Sequence, residues 1–202
     1  GQILLASDRD LHQNPRITKD YQSRVGTLLW LVSSTRPDMA FTVHQLSKHL
    51  IAPGPKHLQA LTQALRYLKG KSTMGITYTR SAINADVLIA AADTDWATDP
   101  ETRKSISGQI ILMNGGALFW SCRRQGGIAG STTEAEWIAA SHLANTLVWM
   151  RRLVAGLGNP QSIPSPVFED NRACRMSSEN SRLGNRLRHI DISMHNVAEH
   201  VR

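Results

Sequence analysis

Hydrophobic positions follow two regimes along the chain. From Tyr21 they recur at helical spacing: Val25, Leu28, Leu29 and Val32 share a face that Trp30 and Leu31 widen. The segment SSTRPD interrupts the run. Thr35 is expected to cap a second helix, with Pro37 in its first turn and Asp38 at the capping-box position. That helix carries Met39, Phe41, Val43, Leu46 and Leu50 and stops at the PGP of 53–55. A third is expected from Lys56 to Lys69, with Leu58, Leu61, Ala64, Leu65 and Leu68 inside and Gly70 as its stop. Residues 1–20 are polar and without period, and read as a linker or the incomplete end of something upstream.

From Gly75 the period changes to that of strands. Ile76–Thr79 is expected as a short one, and Val87–Ala92 as a central strand buried on both faces. Ser107–Met113, the turn NGG and Ala117–Ser121 read as a hairpin, because Asn-Gly supplies the positive φ a tight turn needs. A long helix follows in STTEAEWIAASHLANTLVWMRRLVAGLG, with Thr133 and Glu136 forming a capping box. A loop, a short strand at Val167–Glu169 and further helix complete the pattern. The chain therefore divides into an all-helical part, 1–74, and a mixed α/β part, 75–202.

Composition narrows the function. Hydrophobic residues make up 41% of 202, enough for a real core. No apolar run approaches the ~18 residues of a membrane span, so no membrane partner is expected. The start lacks a secretory pattern and an initiator Met, which reads as a fragment or processed piece. Cys122 and Cys174 have no metal-ligand spacing and point to a reducing, intracellular compartment, with cytoplasm and nucleus both open. A net charge of +7 favours a polyanionic partner, nucleic acid ahead of membrane.

The chemistry lies in acids at element ends. The central strand runs into Asp93 and Asp95, the long helix opens with Glu136, and the late strand ends at Asp170. Such a set can gather at one edge of a mixed sheet and hold two hard cations ~4 Å apart for in-line phosphoryl displacement. Blander roles compete for each: Glu136 as a capping-box partner, Asp170 as a helix cap, Asp95 as a solvated neighbour. His142, His189 and His195 read as satisfied histidines, and Trp120, Trp137 and Trp149 as core.

Six segments in order carry a resemblance: GTLLWLVSSTRPDMAFTVHQLSKHL, ALRYLKG, DTDWATDPETRKSISGQIILMNGGALFWSCRRQ, STTEAEWIAA, EDNRA and RHIDISMH. Together they resemble the ribonuclease H region of copia-type retrotransposon polyproteins, with the end of the reverse transcriptase in front. The resemblance implies a ribonuclease H-like mixed sheet flanked by helices, Mg²⁺ or Mn²⁺ as cofactor, and cleavage of the RNA strand of RNA–DNA hybrids. It matches Asp93, Glu136 and Asp170 to the family's catalytic, metal-binding acids. Asp191 in RHID lies one helix too early for the fourth acid and is a lesser candidate. The expected last strand and helix would lie beyond Arg202.

Hybrid binding is expected along a basic surface: Arg103, Lys104 and Ser105 after the metal strand, Arg123, Arg124 and Gln125 at the hairpin exit, and Arg188 before the last helix. Two functions follow from the same residues. One is metal-dependent ribonuclease H activity, in concert with the remainder of a reverse transcriptase polyprotein. The other is a catalytically inactive, domesticated or truncated domain of that fold that binds nucleic acid or a protein.

Overall fold

The computed structural model describes residues 14–79, 86–97, 99 and 102–168. The chain forms two compact units that divide between Ile76 and Thr77. Among the described residues no helix is long and apolar enough to cross a membrane.

The first unit is helical: α1 (Pro15–Ser34), α2 (Ala40–Ser47) and α3 (Pro55–Gly70). Their apolar stripes meet in a core of Tyr21, Val25, Leu28, Met39, Val43, Leu46, Leu61 and Ala64. The buried Tyr21 hydroxyl donates to the carbonyl of Leu46 at 2.9 Å, so the phenol enters the core with its polar tip satisfied. Helix α1 begins six residues before the expected Tyr21. The Asn14 side chain accepts from Arg16 N–H at 2.9 Å and Pro15 fills the first turn, a polar start with no apolar face to reveal it.

Thr35 does not cap α2. Its N–H bonds the carbonyl of Leu31 at 2.9 Å and closes α1 instead. Pro37–Met39 forms a 3₁₀ turn before α2, and Asp38 receives the buried Arg36 through two bonds, 2.9 and 2.8 Å. Tyr67 on α3 donates its hydroxyl to the same carboxylate at 2.9 Å. Arg36 and Tyr67 together hold the Asp38 carboxyl below its ordinary value.

The second unit is a four-stranded mixed sheet in the order β3-β2-β1-β4, covered on one face by α4 (Thr132–Gly156). Strand β1 (Ile89–Asp95) runs antiparallel to β2 (Ile106–Met113), which runs antiparallel to β3 (Gly116–Arg124). The β2–β3 turn is the expected Asn-Gly, with φ of 55° at Asn114 and 76° at Gly115. Strand β4 (Val167–Phe168) returns parallel to β1, Ala90 opposite Val167, with α4 lying between them in the chain. The segment expected as a strand at Ile76–Thr79 joins no ladder among the described residues. Its last two residues meet the hairpin, with Thr79 N–H on the carbonyl of Asn114 and the Tyr78 hydroxyl on that of Ala117, both at 2.8 Å.

Strand β1 is longer than expected and alternates. Ala90, Ala92 and Thr94 are buried, whereas Asp93 and Asp95 are exposed. The alanines leave room for α4, whose stripe of Ala139, Leu143, Leu147, Met150 and Val154 packs on Leu88, Ala90, Ala92 and Ile111. Their small side chains bring the helix backbone close to the sheet, where polar side chains of the strands reach helix carbonyls.

Candidate functional site

Two of the expected acids lie among the described residues. Asp93 sits in β1, exposed, its Oδ1 accepting from the N–H of Thr94 at 2.8 Å. Glu136 lies in the first two turns of α4 and is 6% exposed. Their chain neighbours are in contact: the Thr94 hydroxyl donates to the carbonyl of Ala135 at 3.4 Å. Strand alternation puts Asp93 on the other face from Thr94, so the contact joins the segments and does not by itself align the carboxylates.

The capping role expected of Glu136 belongs to its neighbour. Ser131 Oγ accepts from Glu134 N–H at 3.1 Å, and Glu134 Oε2 accepts from Gly130 N–H at 2.7 Å. The helix is thus capped by Ser131, with Glu134 reaching back to the residue before the cap, and Glu136 takes no part in the capping bonds described. Asp170 and Asp191 lie outside the described residues. Among the described residues no group of three or more His, Cys, Asp or Glu gathers at metal-binding distance. The donors that are described, two carboxylates, have the hard-oxygen chemistry that Mg²⁺ and Mn²⁺ prefer.

Beneath the start of α4 lies a polar clasp. The amide Nε2 of Gln125 donates to Ser107 Oγ at 2.8 Å and to the carbonyl of Ala135 at 2.9 Å. Ser107 Oγ lies 3.5 Å from Thr94 Oγ1. One turn further along, Gln109 Nε2 donates to the carbonyl of Ala139 at 3.2 Å. Gln125 is 5% exposed and Ser105 0%. Both were expected to face a polyanion, and the structure places both side chains in the interior. Ser105 accepts from Ala97 N–H at 3.2 Å, and each residue is enclosed with protein partners.

The cations around them do gather. Arg103 and Lys104 sit in the loop from β1 to β2, Arg123 and Arg124 at the end of β3. The two stretches are tied together. Gln125 N–H bonds the carbonyl of Ser105 at 2.8 Å, and the Lys104 ammonium donates to the carbonyl of Gly126. Arg103 and Arg123 are exposed. Arg188 lies outside the described residues. The sequence reading missed Asp99, which is 1% exposed and paired with Arg124 at 3.3 Å. Its only local signal is an Asp before Pro in a polar loop, and its partner is 25 residues away.

No family model matches the chain. It is 35% identical over 181 residues to the retrovirus-related Pol polyprotein from transposon TNT 1-94 of Nicotiana tabacum, and 32% identical over 182 residues to that from transposon RE1 of Arabidopsis thaliana. Each match covers 90% of this chain. It is also 40% identical over 130 residues to the secreted RxLR effector protein 161 of Plasmopara viticola, covering 90% of that protein. Retrotransposon Pol polyproteins are thus homologues of this chain over nine-tenths of its length. The chain spans only 13% and 12% of the two polyproteins, so it matches one stretch of each much longer relative. The mixed α/β architecture itself agrees with the one read from the strand pattern.

Proposed function

We propose that this chain carries a ribonuclease H-type unit that cleaves the RNA strand of RNA–DNA hybrids. The observation that supports it best is the contact between Thr94 and Ala135, which puts the strand bearing Asp93 against the helix start bearing Glu136. The sheet order β3-β2-β1-β4, with β4 parallel to β1, suits an edge at which Asp170 would join them. Asp93, Glu136 and Asp170 would hold Mg²⁺ or Mn²⁺, which when bound supplies an activated water and charge stabilisation for phosphoryl displacement. The residues of the chain itself bind and orient. Arg103 and Arg123 attract phosphates, and the clasp on Ala135 fixes the helix that carries Glu136.

The test is cleavage of an end-labelled RNA–DNA hybrid with Mg²⁺, Mn²⁺ or chelator. Wild type should cut the RNA strand only with metal. Asp93→Asn should abolish cutting, because an amide lacks the anionic oxygen a divalent cation needs. Metal-dependent cleavage untouched by Asp93→Asn would refute the reading. Hybrid binding without cleavage in either metal would favour a non-catalytic, nucleic-acid-binding unit.

A further inference from the structure

Asp99 is a carboxylate almost completely removed from water, at 1% exposure, in a surface loop. A buried charge is costly unless it is paired and hydrogen-bonded. Here its Oδ2 takes the Arg124 guanidinium at 3.3 Å and its Oδ1 the N–H of Thr102 at 3.4 Å. Its backbone closes the same turn from both sides: Asp99 N–H to the carbonyl of Lys104 at 3.2 Å, Arg103 N–H to the carbonyl of Asp99 at 2.7 Å. Within that turn Arg103 sits at φ 56°, a left-handed conformation that an arginine holds only when its surroundings impose it.

The loop and the end of β3 are joined at three points: Asp99 to Arg124, Lys104 to Gly126, and Ser105 to Gln125. Arg124 and Lys104 are therefore engaged with the protein. Arg103 and Arg123 are exposed, and their side chains make no hydrogen bond or ion pair among the described residues. The four cations are not equivalent. Two fasten the junction, and two are exposed next to it in the chain.

We propose that Asp99 is a positioning residue for nucleic-acid binding: with Arg124 as its counter-ion, it fixes Arg103 and Arg123 at a set separation for two backbone phosphates. The inference rests on the nucleic-acid reading above and assigns Arg124 to the frame instead of the ligand.

The sign of one substitution separates this from simple charge attraction. Asp99→Asn adds one positive charge and releases Arg124. If charge alone governs binding, affinity for a hybrid rises and its salt dependence steepens. If Asp99 positions the pair, affinity falls in spite of the added charge. Binding of a fluorescent RNA–DNA hybrid is measured by anisotropy across a salt series, for wild type, Asp99→Asn, the double variant Arg103→Gln with Arg123→Gln, and all three changes together.

Each phosphate contact contributes ~0.9 to the salt slope of a duplex. The paired arginine variant should lose about two such steps. Asp99→Asn should lose between about one and two of them, with roughly tenfold weaker binding at low salt. Adding Asp99→Asn to the arginine double variant should change nothing further, which a general loosening of the fold would not reproduce. Should Asp99→Asn fail to fold, the pair Asp99→Asn with Arg124→Gln removes both charges at constant net charge and is read the same way. Equal or tighter binding by Asp99→Asn, or a further loss in the triple variant, overturns the inference alone. Absence of hybrid binding by wild type at low salt overturns the nucleic-acid reading and this inference with it.

Discussion

Replacing Gln125 by Glu converts the clasp under α4 into a test of its own geometry. The amide sits at 5% exposure and donates to an oxygen that can only accept, the carbonyl of Ala135 at 2.9 Å. A carboxylate of the same shape cannot donate there. It must either stay ionised against that carbonyl in a buried site or take up a proton and donate once. Burial raises the pKa of such a group by up to 3–5 units from an ordinary value near 4.3. With a rise of about 3 units at 1.36 kcal/mol each, the variant should be about 4 kcal/mol less stable than wild type at pH 7. The folded-state pKa lies above the unfolded one, so the stability it contributes is complete below about pH 4.3 and lost as pH rises through the folded value. At pH 4 only one lost donor remains, about 1 kcal/mol. The assay is urea unfolding at a series of pH values, by tryptophan fluorescence in a Trp30→Phe background, which confines the signal to the sheet unit. A difference from wild type that is flat with pH, or under about 1 kcal/mol at pH 7, would refute the enclosed position assigned to Gln125.

Two further predictions follow from ionisable groups. Burial, and then the charge of Asp95, pushes the Cys122 thiol up to about 11. At pH 8 it should therefore react slowly with a disulfide reagent in a Cys174→Ser background, and Asp95→Asn should quicken it; an unchanged rate would mean that Asp95 does not act on the thiol. In the helical unit, Asp38 is held below its ordinary value by Arg36 and Tyr67, so its contribution is present above the unfolded value near pH 4 and lost as pH falls through the folded one. Asp38→Asn should cost about 3 kcal/mol at pH 7 by stranding the buried Arg36, and should reduce the acid sensitivity of the helical circular dichroism signal. Unchanged acid sensitivity would show that other carboxylates control it.

What could be read in the sequence was what local rules encode. Asn-Gly at 114–115 fixed the hairpin turn, because few residues accept two positive φ angles. The stripe of α4 and the helical faces of the first unit were visible as periodicity. The cap of α4 was ambiguous for a physical reason. STTEAE contains two overlapping S/T-x-x-E patterns, Ser131 with Glu134 and Thr133 with Glu136, and the helix starts at the first. The placement of Asp93 on a strand and of Glu136 near a helix start was legible. Burial was not. Gln125 follows two exposed arginines in the chain, yet its side chain turns inward to a helix carbonyl contributed ten residues later. Asp99 was silent because its meaning lies in Arg124, across the sheet.

The order of strands across the sheet also governs how the sheet can be assembled. β1, β2 and β3 are consecutive and joined by short connections, so each pairing closes a small loop. β4 can reach β1 only after all of α4 has been threaded across the sheet. Loop-closure entropy makes that pairing the late event, since it draws on the most distant partner. Until it forms, one side of the central strand presents unpaired N–H and C=O groups, the kind of edge to which another extended chain can add. The strand bearing Asp93 is therefore the last in the sheet to be sealed on both sides and the first exposed to foreign pairing if β4 detaches.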